Sequence, residues 1–223
     1  MKIIVEGLKL GRRALYWFLT ELVLIAIFIS IYTALTVLSP LRGESLEQLL
    51  AQYAKYQRFL KSLGLPLYLL IFVNNLGITL ASYIPFAGLG IFGYVLYRTA
   101  RTLQLFSLAI SCATGAPLQL TNVVSVLALV LLPHTYLEFF AYGIAVYQNA
   151  RVCRALLMRR GRVEELKREG LYTALSLAIA VAALLAGALV EAYIIGLTGV
   201  NIHGLPPPSK LETMLRHCVG ASS

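Results

Sequence analysis

The residues of this chain best suited to chemistry are a histidine and a glutamate one helical turn apart, in the stretch Leu-Leu-Pro133-His134-Thr135-Tyr136-Leu-Glu138. An imidazole and a carboxylate four residues apart share one face of a helix and have the spacing of metal ligands, and Glu191 could complete a set of three. The same groups could instead pair with cations of the chain itself. Arg98 and Arg101 supply two positive charges against the two carboxylates, and the amides of Asn74 and Asn75 are available as hydrogen-bonding partners. Neither an HExxH nor a GxSxG pattern is present, and all ten acidic residues are Glu. Chemistry that needs an aspartate, including aspartyl proteolysis and aspartyl-phosphate formation, is therefore excluded. The standard hydrolytic constellations have no foothold either, so the expectation is a protein that is not an enzyme and holds no resident metal or cofactor.

What makes these polar residues informative is their setting. Of the 223 residues 59% are hydrophobic and 13% charged, against about 25% charged in a typical soluble domain, and the net charge is +9. Five stretches, 15–38, 66–84, 86–112, 118–150 and 171–198, have the length and apolarity to cross a bilayer, which takes about 20 helical residues. The expected fold is all-α, a polytopic transmembrane bundle of about five segments. Within it Asn74 and Asn75 sit mid-segment in the second stretch, and Asn75, Thr79 and Ser82 form a stripe. Arg98 and Arg101 interrupt the third stretch, which could mark a full crossing or a half-helix followed by a re-entrant piece. Pro133 interrupts the fourth, whose 33 residues would run roughly 50 Å as one helix, so it is expected to break there. Glu21, one turn beyond Trp17, can snorkel to the interface. In the fifth, Ala174, Ala178, Ala182 and Ala186 recur every fourth position and predict a smooth packing face.

Organisation and orientation follow from the charges. The divisions are a cytoplasmic arm and first helix (1–38), an outer loop (39–65), a core membrane bundle (66–199) and a tail (200–223). Lys2, Lys9, Arg12 and Arg13 in the arm, and seven Lys or Arg residues in the basic segment 151–170, place both on the cytoplasmic side of the plasma membrane and the C-terminus outside. The basic segment reads as a solvated juxtamembrane helix beside anionic headgroups rather than a nucleic-acid site. In the outer loop, Ser45 and Gln48 form a capping-box pattern. Leu46, Leu49, Leu50, Tyr53 and Leu60 then recur at helical spacing up to Gly64, predicting an amphipathic helix that lies on the outer leaflet or on a partner. Ser209 and Glu212 repeat the capping pattern ahead of Leu211, Met214 and Leu215, predicting a short tail helix. Cys112, Cys153 and Cys218 lie far apart without a CxxC and read as buried thiols rather than a disulfide framework or zinc knuckle. The expected partners are the lipid bilayer, other membrane or envelope proteins and a second copy of the chain, with no nucleic acid.

The stretches IFVNNLGITLASYIPFAGLG, LLPHTYLEFFAYGIAV and LLAGALVEAYIIG together resemble the stage II sporulation protein M family of small polytopic membrane proteins. The resemblance covers the chain from about Pro66 to Gly199, and its most specific element is Pro-His followed by Glu four residues later. It maps the family's Asn pair onto Asn74 and Asn75, its Pro-His-Glu set onto Pro133, His134 and Glu138, and its last-helix Glu-Ala onto Glu191 and Ala192. Thr135 stands where Gly is usual, and Phe139-Phe140 where Leu-Pro is common. The resemblance implies an integral component of a membrane complex that remodels the envelope, in which the hydrolase is a separate protein. The polar set is equally suited to a transporter or channel-like protein binding a proton, ion or small solute.

Overall fold

The computed structural model describes residues 2–41, 43–158, 162–198 and Leu215. Among them are seven α-helices and no strand: α1 (Lys2–Leu38), α2 (Gly43–Ser62), α3 (Leu67–Ser82), α4 (Gly88–Thr114), α5 (Leu118–Leu131), α6 (Pro133–Leu157) and α7 (Arg162–Thr198). Two helical stretches, Gly11–Leu38 and Val163–Leu197, are long and apolar enough to cross a membrane, and a third is added if α5 and α6 are one broken span. The five apolar stretches of the sequence all become helix. However, α3 has only 16 residues, roughly 24 Å, and α4 carries Arg98 and Arg101.

The helix boundaries have local causes. Pro40 follows the end of α1 by two residues. After α2, Gly64 adopts φ 60, a left-handed conformation that glycine tolerates without a Cβ penalty, and Pro66 stands immediately before α3, its carbonyl accepting from Leu70 N–H at 3.1 Å. Gly115 (φ 69) ends α4 in the same way, its N–H bonding Ser111 O at 2.9 Å. Leu132 is extended (φ −77, ψ 127), as a residue before proline prefers, and Pro133 opens α6, where its missing N–H costs nothing. No such break occurs at Arg98–Arg101, where α4 is continuous.

The chain forms two compact units. The first contains Met1–Ile27, Ile71–Val95 and Pro133–Ala188; the second contains Phe28–Leu70, Leu96–Leu132 and Leu189–Ser223. In the first unit α1 and α6 touch backbone to backbone: a β-carbon on Gly143 would lie 3.0 Å from Glu21 N and 3.1 Å from Trp17 O. Around this contact Trp17, Phe92, Phe139, Tyr142, Ile144 and Leu184 are buried. Glu21 is only 3% exposed, so it faces inward instead of snorkelling. In the second unit Leu46, Leu49 and Leu50 of α2 are buried in one cluster with Leu41, Leu105, Ala109 and Leu215, with Tyr53 and Cys112 packed against it. Leu46, Leu49, Leu50 and Tyr53 of the α2 stripe thus pack against the chain itself.

Four further expectations are corrected. Ala174, Ala178, Ala182 and Ala186 are exposed, and α7 instead packs through Ser176, Ala180, Leu184 and Ala188. Alanine is apolar enough to face lipid, so its period alone does not say which face is inside. The 151–170 segment is not one solvated helix: it contains the end of α6 and the start of α7, and Glu169 in it is fully buried. Helix α2 begins two residues ahead of Ser45, which therefore lies inside the first turn rather than in front of it. Cys112 is disulfide-bonded while Cys153 is free. Apart from Leu215, which is helical and buried, the tail with Ser209 and Glu212 lies outside the described residues.

Candidate functional site

In the first unit the sequence-selected residues meet where α3 runs beside α6. Asn75, 7% exposed, donates from Nδ2 to Glu138 Oε1 at 2.5 Å, and its Oδ1 accepts from Asn74 Nδ2 at 3.1 Å. Asn74 itself is exposed and extends the pair to the surface of the unit. His134 lies one turn before Glu138 on α6, just inside the break, and is 5% exposed. The α7 helix closes on this turn through Gly187, whose added β-carbon would sit 3.5 Å from His134 O and 3.6 Å from Glu138 Cγ. A methyl group there would make ordinary van der Waals contact with this turn. Two buried polar atoms flank the Asn75–Glu138 bond without a hydrogen-bond partner: His134 Nδ1, and Thr79 Oγ1 one turn further along α3. Buried polar atoms are normally paired with protein or water, so these two are the groups of this seam with unused capacity. Thr79 and Ser82 are fully buried, and Asn75, Thr79 and Ser82 form the inward stripe of α3.

The remaining members of the expected set belong to the second unit. Arg101 does not serve as a counter-charge to a carboxylate there. Its Nη1 donates to Ser39 O at 2.6 Å and to Gln104 Oε1 at 2.9 Å, so it satisfies a carbonyl at the C-terminal end of α1, the negative end of that helix. Arg98 is half-buried and Glu191 is 8% exposed. Among the described residues no group of three or more His, Cys, Asp or Glu side chains is placed so that it could hold a metal ion.

The strongest electrostatic feature of the first unit was not selected from the sequence. Arg13 of α1 forms a two-pronged ion pair with Glu169 of α7, Nη2 to Oε1 at 2.8 Å and Nη1 to Oε2 at 3.0 Å. Arg151 Nη2 reaches the same Oε1 at 2.7 Å, and Gln148 Nε2 donates to Oε2, to the Glu169 carbonyl and to Thr173 Oγ1, each at 3.1 Å. The Arg13 guanidinium also lies 3.6 Å from the centroid of the Tyr172 ring, a cation–π contact. Glu169 and Gln148 are fully buried and Arg13 is 8% exposed. Three helices are thus tied through one carboxylate. Glu165 adds bonds to Arg151, at 3.4 Å, and to Arg168.

Next to it, Asn149 fixes the turn that joins α3 to α4. Its Nδ2 donates to Ser82 O at 2.8 Å and Ile84 O at 2.6 Å, and its Oδ1 accepts from Cys153 Sγ, which in turn accepts from Phe86 N–H at 3.1 Å. Phe86 is held at φ 64, a conformation unusual for a bulky side chain. A β-carbon on Gly88 would lie 2.2 Å from Ser82 O. In the second unit a hydroxyl ladder was likewise unforeseen: Tyr32 Oη bonds Ser107 Oγ at 2.8 Å and Asn122 Oδ1 at 2.9 Å, and Ser107 bonds Ser125 at 2.8 Å. The available signal for the first cluster was Gln148-Asn149, two adjacent amides inside the apolar 118–150 stretch.

Comparison with known protein families, with curated proteins and with solved structures finds no match.

Proposed function

We propose that this chain is a non-enzymatic integral membrane protein that serves as a scaffold component of a membrane or envelope remodelling complex, as its resemblance to the stage II sporulation protein M family implies. In this reading it crosses the plasma membrane five times with the N-terminus in the cytoplasm, α3 and α4 being crossings beside α1, the α5–α6 pair and α7. The observation that supports a scaffold best is the Arg13–Glu169–Gln148–Arg151 cluster. Its charged groups are directed at one another across three helices rather than toward a solute, which suits a rigid part. Its partners are other envelope proteins or a second copy, embedded in lipid.

A second reading, a transporter or channel-like protein for a proton, ion or small solute, is favoured by one feature. A discontinuous helix beside unpaired buried polar atoms is how many membrane proteins build a binding site, and His134 Nδ1 is such an atom at the Pro133 break. Proteoliposomes containing the purified chain separate the two. The scaffold reading expects no proton or ion flux above protein-free vesicles, together with a defined assembly in native membranes that Glu169→Ala disperses. Flux that Glu138→Gln abolishes would overturn it in favour of the second reading.

A further inference from the structure

Packing against the chain occupies the first half of α2, through Leu46, Leu49, Leu50 and Tyr53. The second half is different. From Lys55 to Pro66 every described side chain is exposed, among them Phe59 (57%), Leu63 and Leu65 (40% each), with Tyr56 on the same side. At about 100° per residue, Tyr56, Phe59 and Leu63 fall within about 60° of one another, roughly 100° round the helix from the centre of the buried stripe; Lys55 and Arg58 lie roughly 100° further round in the same sense. Arg58 Nε donates to Ala54 O one turn back at 3.3 Å, so its stem lies along the helix. The second half of α2 and the turn after it therefore present an apolar edge bordered by cations.

We propose that this edge is a docking surface for anionic phospholipid headgroups: the second half of α2 lies in the plane of the membrane interface, with Phe59, Leu63 and Leu65 entering the acyl boundary and Lys55 and Arg58 meeting the phosphates above them. Charge selects this occupant. Both acids of α2, Glu44 and Glu47, precede the edge, Lys55, Arg58 and Lys61 fall within it, and the next acid in the sequence is Glu138. Two copies of the chain meeting edge to edge would bring like charges together, which opposes the contact, whereas a phosphate layer neutralises them. With these five charged residues among its 20, α2 is too polar to cross a bilayer. A helix that carries aromatic and aliphatic groups on one side and Lys and Arg on another settles in the interface, its apolar side about 5–10 Å into the boundary between headgroups and chains. Tyr68, exposed on the first turn of α3, has the amphipathic ring that favours the same level. This inference rests on the chain's being embedded in a membrane, as the proposed function has it, and is independent of whether it acts as scaffold or transporter.

Phe59→Trp in the full-length chain, reconstituted at one copy per lipid nanodisc, tests it; the emission of the wild-type chain, which contains a single tryptophan, is subtracted. In discs rich in phosphatidylglycerol the added indole should be quenched by phospholipids brominated near the top of their acyl chains, and acrylamide should quench it several-fold less than free indole. Each cation at an anionic surface strengthens association about fivefold, so adding Lys55→Gln and Arg58→Gln should raise acrylamide access and cut quenching by the brominated lipid, as should discs of phosphatidylcholine alone. An indole as open to acrylamide as free indole in the anionic discs would overturn the proposal. Protection that is equal in both lipids and indifferent to the two Gln substitutions would overturn the part played by anionic headgroups. Protection that appears only at two copies per disc would assign the edge to a second copy and overturn the lipid. Alkaline extraction keeps this separate from the wider reading: a chain that washes off membranes fails as an integral protein, whereas one that stays integral with a water-exposed indole fails only here.

Discussion

Glu169→Gln tests whether the buried carboxylate holds α1, α6 and α7 together. The substitution keeps the shape of the side chain and removes its charge. Arg13, 8% exposed and bonded to both carboxylate oxygens, then loses its anion, and an amide cannot accept from Arg13 at both positions because one of them becomes an NH2 group. Removing one partner of a buried pair costs about 3–5 kcal/mol, since the remaining charge stays out of water. For a chain of this length each kcal/mol lowers Tm by about 2–4 °C, so the melt of the detergent-solubilised protein should fall by roughly 6–20 °C. The reverse change is expected to cost less. In Arg13→Met, Glu169 keeps Arg151 at 2.7 Å and Gln148 at 3.1 Å, so what is lost is charge-assisted hydrogen bonding worth about 1.5–3 kcal/mol. The double variant should be milder than the sum of the two by about 0.5–3 kcal/mol. A Glu169→Gln melt within about 2 °C of wild type would refute the reasoning, as would strict additivity in the double variant.

Three further outcomes follow from single contacts. Arg101→Met should leave Ser39 O without its donor, cost about 1–3 kcal/mol, and raise amide hydrogen exchange selectively in the last turn of α1; unchanged exchange there would show that solvent already serves that carbonyl. Ala180→Leu, at a fully buried site on α7, should destabilise by about 1–3 kcal/mol, while Ala182→Leu on the exposed face should be nearly neutral, and equal thermal melts would contradict the assignment of faces. Gly88→Ala should clash with Ser82 O and displace the Asn149 amide, lowering Tm and making the turn between α3 and α4 more sensitive to protease; a melt like wild type would mean that the turn yields freely.

The helices themselves were largely legible in the sequence because each is an apolar run ended by a local signal: Pro40 after α1, Gly64 after α2, and the Leu132–Pro133 break. Pairing across the fold was not. Arg13 and Glu169 are 156 residues apart, and each stands just outside an apolar stretch, where a charged side chain can ordinarily reach water, so each was read as an orientation signal or a solvated residue. The inward stripe Asn75–Thr79–Ser82 was readable because its spacing matches one helix face. The contact Asn75–Glu138 was anticipated from the cost of isolated polar groups, but the same argument misplaced Arg101, whose partner is a backbone carbonyl and so leaves no trace in composition. The hydroxyls of Tyr32, Ser107 and Ser125 carry little polarity singly and gave no signal until their helices were set side by side.

The missing side chain at Gly143 has a mechanical consequence for α1. There the backbone of α6 lies so close to Trp17 and Glu21 that a methyl group would fit only if the neighbouring backbone gave way by a few tenths of an ångström, and Arg13 grips α7 one turn earlier. Turning α1 by one residue, about 100°, would swing neighbouring side chains into that slot and tear Arg13 from its carboxylate. The helix is keyed like a shaft in a groove, free to slide or tilt by small amounts but not to spin. A force applied to the N-terminal arm would therefore arrive further along α1 as displacement or inclination rather than as torque.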